Sequence, residues 1–496
     1  MIPVLTKEQA YKLDENTIES SHLTKEELMD NAGKAVAQFF CEKIDNPFNQ
    51  KVVVVCGKGN NGGDGVIAHS YLKSYNVSSK IIFTEHNHGH LTLINKYKIS
   101  KDDYLIYSNK NNLDKYDWVI DAIFGIGLSR DLDDMYKRVI NQINSKGQII
   151  SIDMPSGACS NSNKYQYSVK SKYVVTFGSP KLGHYVNAVN NLTTTNIGFK
   201  KVSKSIFKLI DFNCISKMIK VYNNKEDIHK HKKGKLCIIA GSHEYFGAAI
   251  LSACASMKAG ASYVNLYVYH DSRLENLDFI HLTSSFKVLY PDIIFNTSGS
   301  INSDTKNESN KDYDNILFGP GIINKTPFNK LEMYAKAKNF IVDAGGFQSF
   351  SDISKYHNKK TILTPHFGEF KKIFNLEDEV VLDSNLFESI QKKIDDKIII
   401  LKMFNTFIIT RKQIYIIDNA PSVLATAGTG DVLSGILVSL LSQGYSNLEA
   451  SILGTYLHAQ AANYYIDNIS QDGMTASDLI ECIPHAFNKL REHNVN

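Results

Sequence analysis

Residues 53–65 read VVVCGKGNNGGDG, a run of β-formers followed by five glycines, two asparagines and an aspartate within nine residues. Consecutive apolar residues suit a strand buried on both faces of a parallel sheet. The next segment, GVIAHSYLKSY, suits a helix. A strand feeding a glycine-rich turn and then a helix presents free N–H groups and the positive helix end at the sheet's carboxyl edge, where anions and phosphates bind. The stretch is neither G-x-G-x-x-G nor G-x-x-x-x-G-K-[ST], and it offers the acid Asp64 in place of a phosphate-binding lysine. Asn60, Asn61 and Asp64 supply oxygens instead, which suit a hard cation or a grip on a polar ligand.

The same grammar repeats outward from that stretch. KVVVVC (51–56), KIIF (80–83), DWVID (117–121), QIISID (148–153) and KYVVTF (172–177) alternate with helical segments, which predicts βαβ units and a parallel sheet. Helices are expected over 7–20 and 24–44, the second opening on Thr24 and Glu27 in capping-box spacing. DAIFGIGLSRD (121–131) and SIDMPSG (151–157) again carry a strand into glycines and polar residues. Strand carboxyl ends of a parallel sheet share one rim, so Asn61, Asp121, Asp153 and Ser156 are expected to converge there.

Near residue 220 the pattern gives way to YNNKEDIHKHKKGK, polar and charged without periodicity. Alternation then restarts with KLCIIA (235–240), a helix over 247–259, YVNLYV (263–268), NILF (315–318), NFIVDA (339–344), TIL (361–363), KIIIL (397–401) and a helix-rich tail over 430–492. Two successive α/β domains follow, over 1–212 and 230–496, with 213–229 as linker. The polar segment 296–315 reads as an exposed loop insertion.

Composition closes off several function classes. A chain of 496 residues with 55 basic and 51 acidic side chains carries only +4, too little for the concentrated positive field of a nucleic-acid binder. No apolar run approaches the roughly 20 residues that span a bilayer. The first residues lack a basic segment followed by an apolar one, so a cytoplasmic location is expected. Seven scattered cysteines without a C-x-x-C pair argue against a disulfide framework or a zinc site.

In the second half, ATAGTGDVLSGILVSLL (425–441) sets Gly428, Gly430 and Asp431 before a long apolar helix. N–H groups at such a helix start hold phosphoryl oxygens, and an aspartate beside them can accept the proton of an attacking hydroxyl. That is the apparatus of ribokinase-like phosphoryl transfer.

NNGGDG, DAIFGIG and DMPSG, followed by TFGSPKLGH (176–184), resemble the NAD(P)H-hydrate epimerase domain over residues 1–212. The resemblance implies a Rossmann-like fold that interconverts the R and S epimers of hydrated NADH or NADPH, which bear a hydroxyl at C6 of the nicotinamide ring. It assigns a potassium ion to Asn61, Asp121 and Ser156. Substrate contacts fall to Asn60, Asn61, Gly62, Gly63, Asp64, Gly125, Ile126, Gly127, Leu128, Ser129, Arg130, Asp131 and Asp153. Asp153 is the candidate for acid–base work at C6. Lys181 either assists it electrostatically or is a solvated loop residue.

The second half resembles the ADP- or ATP-dependent NAD(P)H-hydrate dehydratases through LTPHFGEF (363–370), IIAGSHEYFGAAILSACASMKAGASYV (238–264), FGPGI (318–322) and ILKMFNT (400–406). That family spends a nucleotide, with magnesium, to phosphorylate the hydroxyl of the S epimer and then eliminate phosphate. Asp431 would be the base, with His366, Gly321 and Ala248 or Ala249 about the nicotinamide; Lys402, Met403, Phe404, Asn405, Thr406 and Gly430 would hold the nucleotide. Two departures stand out. Met403 replaces a glycine of the usual LKGAGT, and DAGGF (343–347) replaces DADAL, losing its second acid. The whole is expected to be a bifunctional cofactor-repair enzyme, homo-oligomeric, with small molecules as its partners. A ribokinase-like small-molecule kinase, or an epimerase-fold ligand-binding scaffold, are the alternatives.

Overall fold

The computed structural model describes residues 1–496 apart from 22, 87–88, 109–111, 165–166, 201, 203, 221–234, 269–283, 298–312, 324–336, 350–359, 419 and 493–496. The chain forms two compact units, Ile2–Lys208 with Val381–Glu388, and Met1 with Leu209–Val380 and Ser389–Asn496.

After the short β1 (Ile2–Val4), the first unit runs through β2 (Lys51–Cys56), β3 (Ser78–Phe83), β4 (Tyr104–Ile106), β5 (Trp118–Ala122), β6 (Ile149–Ile152), β7 (Tyr173–Phe177) and β8 (Leu192–Thr195). These last seven form one sheet in the order β4-β3-β2-β5-β6-β7-β8, every neighbouring pair parallel. Alternate residues of β2 feed different cores. Val52, Val54 and Cys56 join Phe40, Val66 and Ile120, while Val53 and Val55 join Val119, Ile140 and Ile149. Helices therefore cover both faces, as the unbroken valine run demands. The strand order reverses at β2 and β5, so the crevice at their carboxyl ends is the switch point where α/β sheets bind ligands.

The helix Asn60–Ser74 begins inside the glycine cluster. Its backbone comes so close to the preceding turn that a Cβ at Gly62 would stand 1.8 Å from the Gly57 carbonyl oxygen. The helix Lys25–Lys43 opens with the capping box expected at Thr24, whose hydroxyl accepts from Glu27 N while Glu27 accepts from Thr24 N.

After β9 (Phe207–Leu209), the second unit contains β10 (Leu236–Ala240), β11 (Val264–Val268), β12 (Ile294–Thr297), β13 (Asn315–Phe318), β14 (Asn339–Val342), β15 (Lys360–Leu363), β16 (Ile398–Leu401), β17 (Thr406–Ile409) and β18 (Ile414–Ile417). Their order is β12-β11-β10-β13-β14-β15-β16-β17-β18; pairing is parallel from β12 to β16, and the last two strands are added antiparallel. Helices Phe246–Lys258, Thr429–Ser442, Asn447–Asn468 and Ala476–Glu492 supply much of its core, including Ala253, Ile436, Leu437, Leu457 and Ile483.

The architecture is the expected pair of α/β units, Rossmann-like and then ribokinase-like. Differences lie in the joins. Of the linker read over 213–229, residues up to Ser216 belong to the helix Phe212–Ser216, and 221–229 lie outside the described residues. The loop read over 296–315 also has structural ends: Asn296 and Thr297 close β12, Asn315 opens β13, and buried Tyr313 meets the Tyr267 hydroxyl at 3.2 Å. Its centre, 298–312, lies outside the described residues.

Two candidate active sites

In the first unit, Asp121 ends up fully buried on β5, in register with Ser151 of β6. Ser151 Oγ donates to Asp121 Oδ2 at 2.7 Å, Ser156 Oγ to Oδ1 at 2.6 Å and Ser156 N to Oδ2 at 2.9 Å. Ser156 Oγ in turn accepts from Phe124 N at 2.9 Å. Asp121 thus clamps the loops after β5 and β6 together. Burial raises its pKa, against the bonds from Ser151 and Ser156. Its hydrogen-bond partners are all neutral, so the charge balance of this pocket suits a cation beside the carboxylate.

Asp153, just past β6, adopts φ +64°, a left-handed conformation that non-glycine residues rarely take. Its Oδ1 accepts from Lys181 Nζ at 2.7 Å and Thr176 Oγ1 at 2.9 Å, and Oδ2 accepts from Ile126 N at 3.3 Å. Burial alone would raise its pKa, but the Lys181 ammonium and its hydrogen bond outweigh that and hold the carboxyl below its ordinary value. Lys181 is 4% exposed, so it is a buried partner of Asp153 and not a solvated loop residue. Asp64 is the reverse case: burial, then the charges of Asp153 and Asp14, push its pKa far up. The Lys181 ammonium favours the ionised form of Asp153 while burial favours the neutral form of Asp64, the kind of contrast by which sites divide acid from base.

These groups open on a cavity of about 590 Å³. Its lining includes Asn60, Asn61, Asp64, the loop Gly125–Arg130, Asp153 and Lys181. A Cβ at Gly125 would lie 3.1 Å from Asp153 Oδ2 and 3.2 Å from Asn61 Oδ1, so the glycine leaves room where those two side chains meet. Gly62, Gly63, Asp121 and Ser156 are buried and do not line this cavity, and Asp131 is exposed outside it. Sequence reasoning overlooked the other wall, where Tyr11, Asp14, Leu28 and Met29 come from the two amino-terminal helices. A signal existed. Asp14 falls between Ala10 and Thr17 on the buried stripe of its helix, where an apolar residue is the ordinary choice.

The second site is built on the ends of β14, β15 and β16 and on the start of the helix Thr429–Ser442. Gly428 caps that helix at φ +90°. Asp343 follows β14 and is 2% exposed; its Oδ1 accepts from Lys402 Nζ at 3.2 Å and Ala344 N at 3.0 Å, and its Oδ2 accepts from Ser434 Oγ. A Cβ at Gly430 would be 3.3 Å from Lys402 Nζ, so the ammonium stands over the helix start. The Asp431 carboxyl has no hydrogen-bond partner among the described residues. Burial first, and the charge of Asp343 second, push its pKa up to about 7 despite Lys402. A carboxyl poised near neutrality is what a general base needs.

His366 caps the helix Phe367–Phe374, its Nδ1 accepting from Gly368 N at 3.0 Å and Glu369 N at 3.3 Å, so that Nε2 is left on a largely exposed edge. Lys402 N donates to the Pro365 carbonyl at 2.9 Å, which sets His366 beside Lys402. Gly321 approaches Ala248, a Cβ there standing 2.9 Å from that of Ala248, whereas Ala249 is fully buried in the core. In the turn between β16 and β17, Met403 is half-buried, Phe404 is 49% exposed and Asn405 is buried, as is Thr406 at the start of β17. Met403 does not take a positive φ, so the backbone there makes no demand for glycine. In DAGGF, Gly345 is fixed by sterics, since a Cβ would stand 1.6 Å from the Ile322 carbonyl oxygen. His458, also overlooked in sequence, bonds the Thr429 carbonyl at 2.8 Å and steadies the helix start.

Comparison with known proteins agrees with both halves. Residues 25–183 match the family described as YjeF-related protein N-terminus, and residues 236–485 match the family described as NAD(P)H-hydrate dehydratase. The bifunctional NAD(P)H-hydrate repair enzyme Nnr of Dictyoglomus turgidum is 31% identical over 99% of this chain and 100% of its own length. Its namesake in Thermofilum pendens is 29% identical over 97% of this chain and 95% of its own, and that of Escherichia coli 25% over 94% and 90%. With both family matches in that order and a relative aligned end to end, the chain belongs to the bifunctional NAD(P)H-hydrate repair enzymes.

Proposed function

We propose that the rim of the first unit epimerises hydrated NADH and NADPH at C6, and that the rim of the second dehydrates the S epimer at the expense of ADP or ATP. The observation that carries the reading is a carboxyl of tuned charge at each rim, Asp153 held ionised by Lys181 and Asp431 poised near pH 7.

In the second site, the Asp431 carboxylate takes the proton of the C6 hydroxyl as its oxygen attacks the terminal phosphoryl group. Lys402, held by Asp343, and the N–H groups at Gly428–Gly430 face the charge that develops. Phosphate then leaves with the C6–O bond, and loss of a proton from C5 restores the C5=C6 double bond. Magnesium would accompany the nucleotide, with Asp343 and Asp431 as the nearby carboxylates. In the first site, Asn61, Asp121 and Ser156 would hold potassium, which would neutralise the buried Asp121 and stiffen the loops carrying Asp153. Family resemblance supports a homo-oligomer, and among the described residues no helix is long and apolar enough to cross a membrane.

The test incubates the protein with mixed epimers of hydrated NADH, ADP and magnesium and follows NADH absorbance. Full recovery is expected. Recovery of the S fraction alone would refute the epimerase assignment, no recovery would refute the dehydratase assignment, and a stable phosphorylated product would instead favour a small-molecule kinase.

A further inference from the structure

Inverting C6 by loss and return of its hydroxyl carries oxygen from one face of the nicotinamide ring to the other, and a single side chain cannot serve both faces of a bound ring. We propose that Asp14 is the second proton-transfer group of the first site, serving the ring face turned to the amino-terminal helix while Asp153 with Lys181 serves the face turned to the sheet rim. The inference rests on the epimerase reading above.

Three observations point this way. Asp14 lines the same cavity as Asp153 and Lys181 but from the helix Lys7–Ser21, whereas Asn61 and Asp64 come from the start of the helix Asn60–Ser74 after β2, and Asp153 from the end of β6. Although Asp14 is half-buried, its carboxyl has no hydrogen-bond or ion-pair partner among the described residues, so no structural bond accounts for an acid on that stripe. Asn61, 8% exposed and in the same cavity, has a buried Nδ2 with no partner, a donor that a polar ligand would satisfy. Asp64, the other carboxyl of the lining, lies on the helix Asn60–Ser74 and not on the two amino-terminal helices.

The step balances with water as the only co-reactant. The N1 lone pair forms N1=C6 as the C6–O bond breaks, and the leaving hydroxyl takes a proton from the acid on its side and departs as water. A second water adds to C6 from the opposite face and gives a proton to the base there, while the N1=C6 pair returns to N1. One carboxyl ends a proton poorer and the other a proton richer, and the reverse pass or exchange with solvent resets them. Burial, opposed by Lys181 and reinforced by Asp153, pushes the Asp14 pKa up to about 6, with Glu15 and Lys25 as weaker neighbours and Tyr11 beside it in the lining. At that value Asp14 can act in either direction near neutral pH.

The experiment measures epimerisation without nucleotide, in water labelled with oxygen-18, for the parent, Asp14→Asn, Asp14→Glu and the exposed control Glu15→Gln. For Asp14→Asn, kcat should fall ~10²–10⁴-fold with KM little changed, as expected for loss of a general acid–base group. The limb of the kcat profile near pH 6 should vanish with it, and Asp14→Glu should restore part of the rate. Every turnover should carry solvent oxygen into C6. Wild-type kcat in Asp14→Asn, an effect on KM alone, or inversion without label overturns the proposal. An unchanged melting temperature of the first unit in Asp14→Asn shows that the variant is folded. If the parent protein does not epimerise at all, the underlying assignment fails, a result distinct from the failure of Asp14.

Discussion

At the scale of single residues, function depends on carboxyls whose charge is set by what is buried with them. Asp431 has its pKa raised to about 7 by burial and by Asp343. Below that pH it is protonated and cannot accept the hydroxyl proton, so the dehydration rate should climb as pH rises through 7. Asp431→Asn should lower kcat ~10²–10⁴-fold at pH 8 and flatten the profile. Stability should move the other way. Between its ordinary value and about 7 the folded state binds this proton more tightly than the unfolded chain does, so stability falls as pH rises through that window. Asp431→Asn removes that part of the fall, and its melting temperature should exceed the parent's at pH 8 while matching it near pH 4. Equal melting temperatures at pH 8 would count against a buried, charge-strained Asp431.

At the scale of elements, the glycine-rich turn after β2 is a packing solution first and a ligand loop second. Gly62→Ala would drive a Cβ to 1.8 Å from the Gly57 carbonyl oxygen, so the helix start must move off the strand end. Loss of several kcal/mol is expected in denaturant unfolding of the first unit, together with loss of epimerisation. Gly59 is the contrast. Nothing lies within 4 Å of its would-be Cβ, and it caps the helix Asn60–Ser74 at φ −84° and ψ −174°. Gly59→Ser should hold or raise stability by a few tenths of a kcal/mol, because serine caps slightly better than glycine in that geometry.

The same elements show what the sequence can and cannot disclose. A buried parallel strand such as Lys51–Cys56 is legible because five apolar residues, Val52–Cys56, sit together between turn signals. Strands of three or four residues at the sheet margins, Tyr104–Ile106 and Leu192–Thr195, carry no such run. The hairpin Thr406–Ile409 with Ile414–Ile417 escaped notice because its turn, Thr410–Gln413, contains no glycine, proline or asparagine to mark it. Rim residues could be named from sequence since Asp153 and Lys402 directly follow strand ends and Asn61 follows the glycine turn after one. Asp14 left only the weaker signal of an acid on an apolar stripe, because tertiary packing is what carries its helix to the rim.

At the scale of the whole molecule, each unit has its own hydrophobic core and its own site, so a lesion in one chemistry should spare the other. Asp153→Asn strips the buried Lys181 of its carboxylate partner and should abolish epimerisation, while the second unit keeps Asp343, Lys402 and Asp431 and goes on dehydrating. Given mixed epimers, nucleotide and magnesium, that variant should recover only the S fraction, after subtraction of any exchange seen without protein. Asp431→Asn should equilibrate the epimers and return no NADH. Because the S epimer is a free small molecule between the two steps, mixing the two variants should restore complete recovery, at a rate that rises with the concentration of either. Failure of the mixture to exceed the S fraction, with both variants folded by melting, would mean that the intermediate does not pass through solution and that the two rims do not work as independent sites.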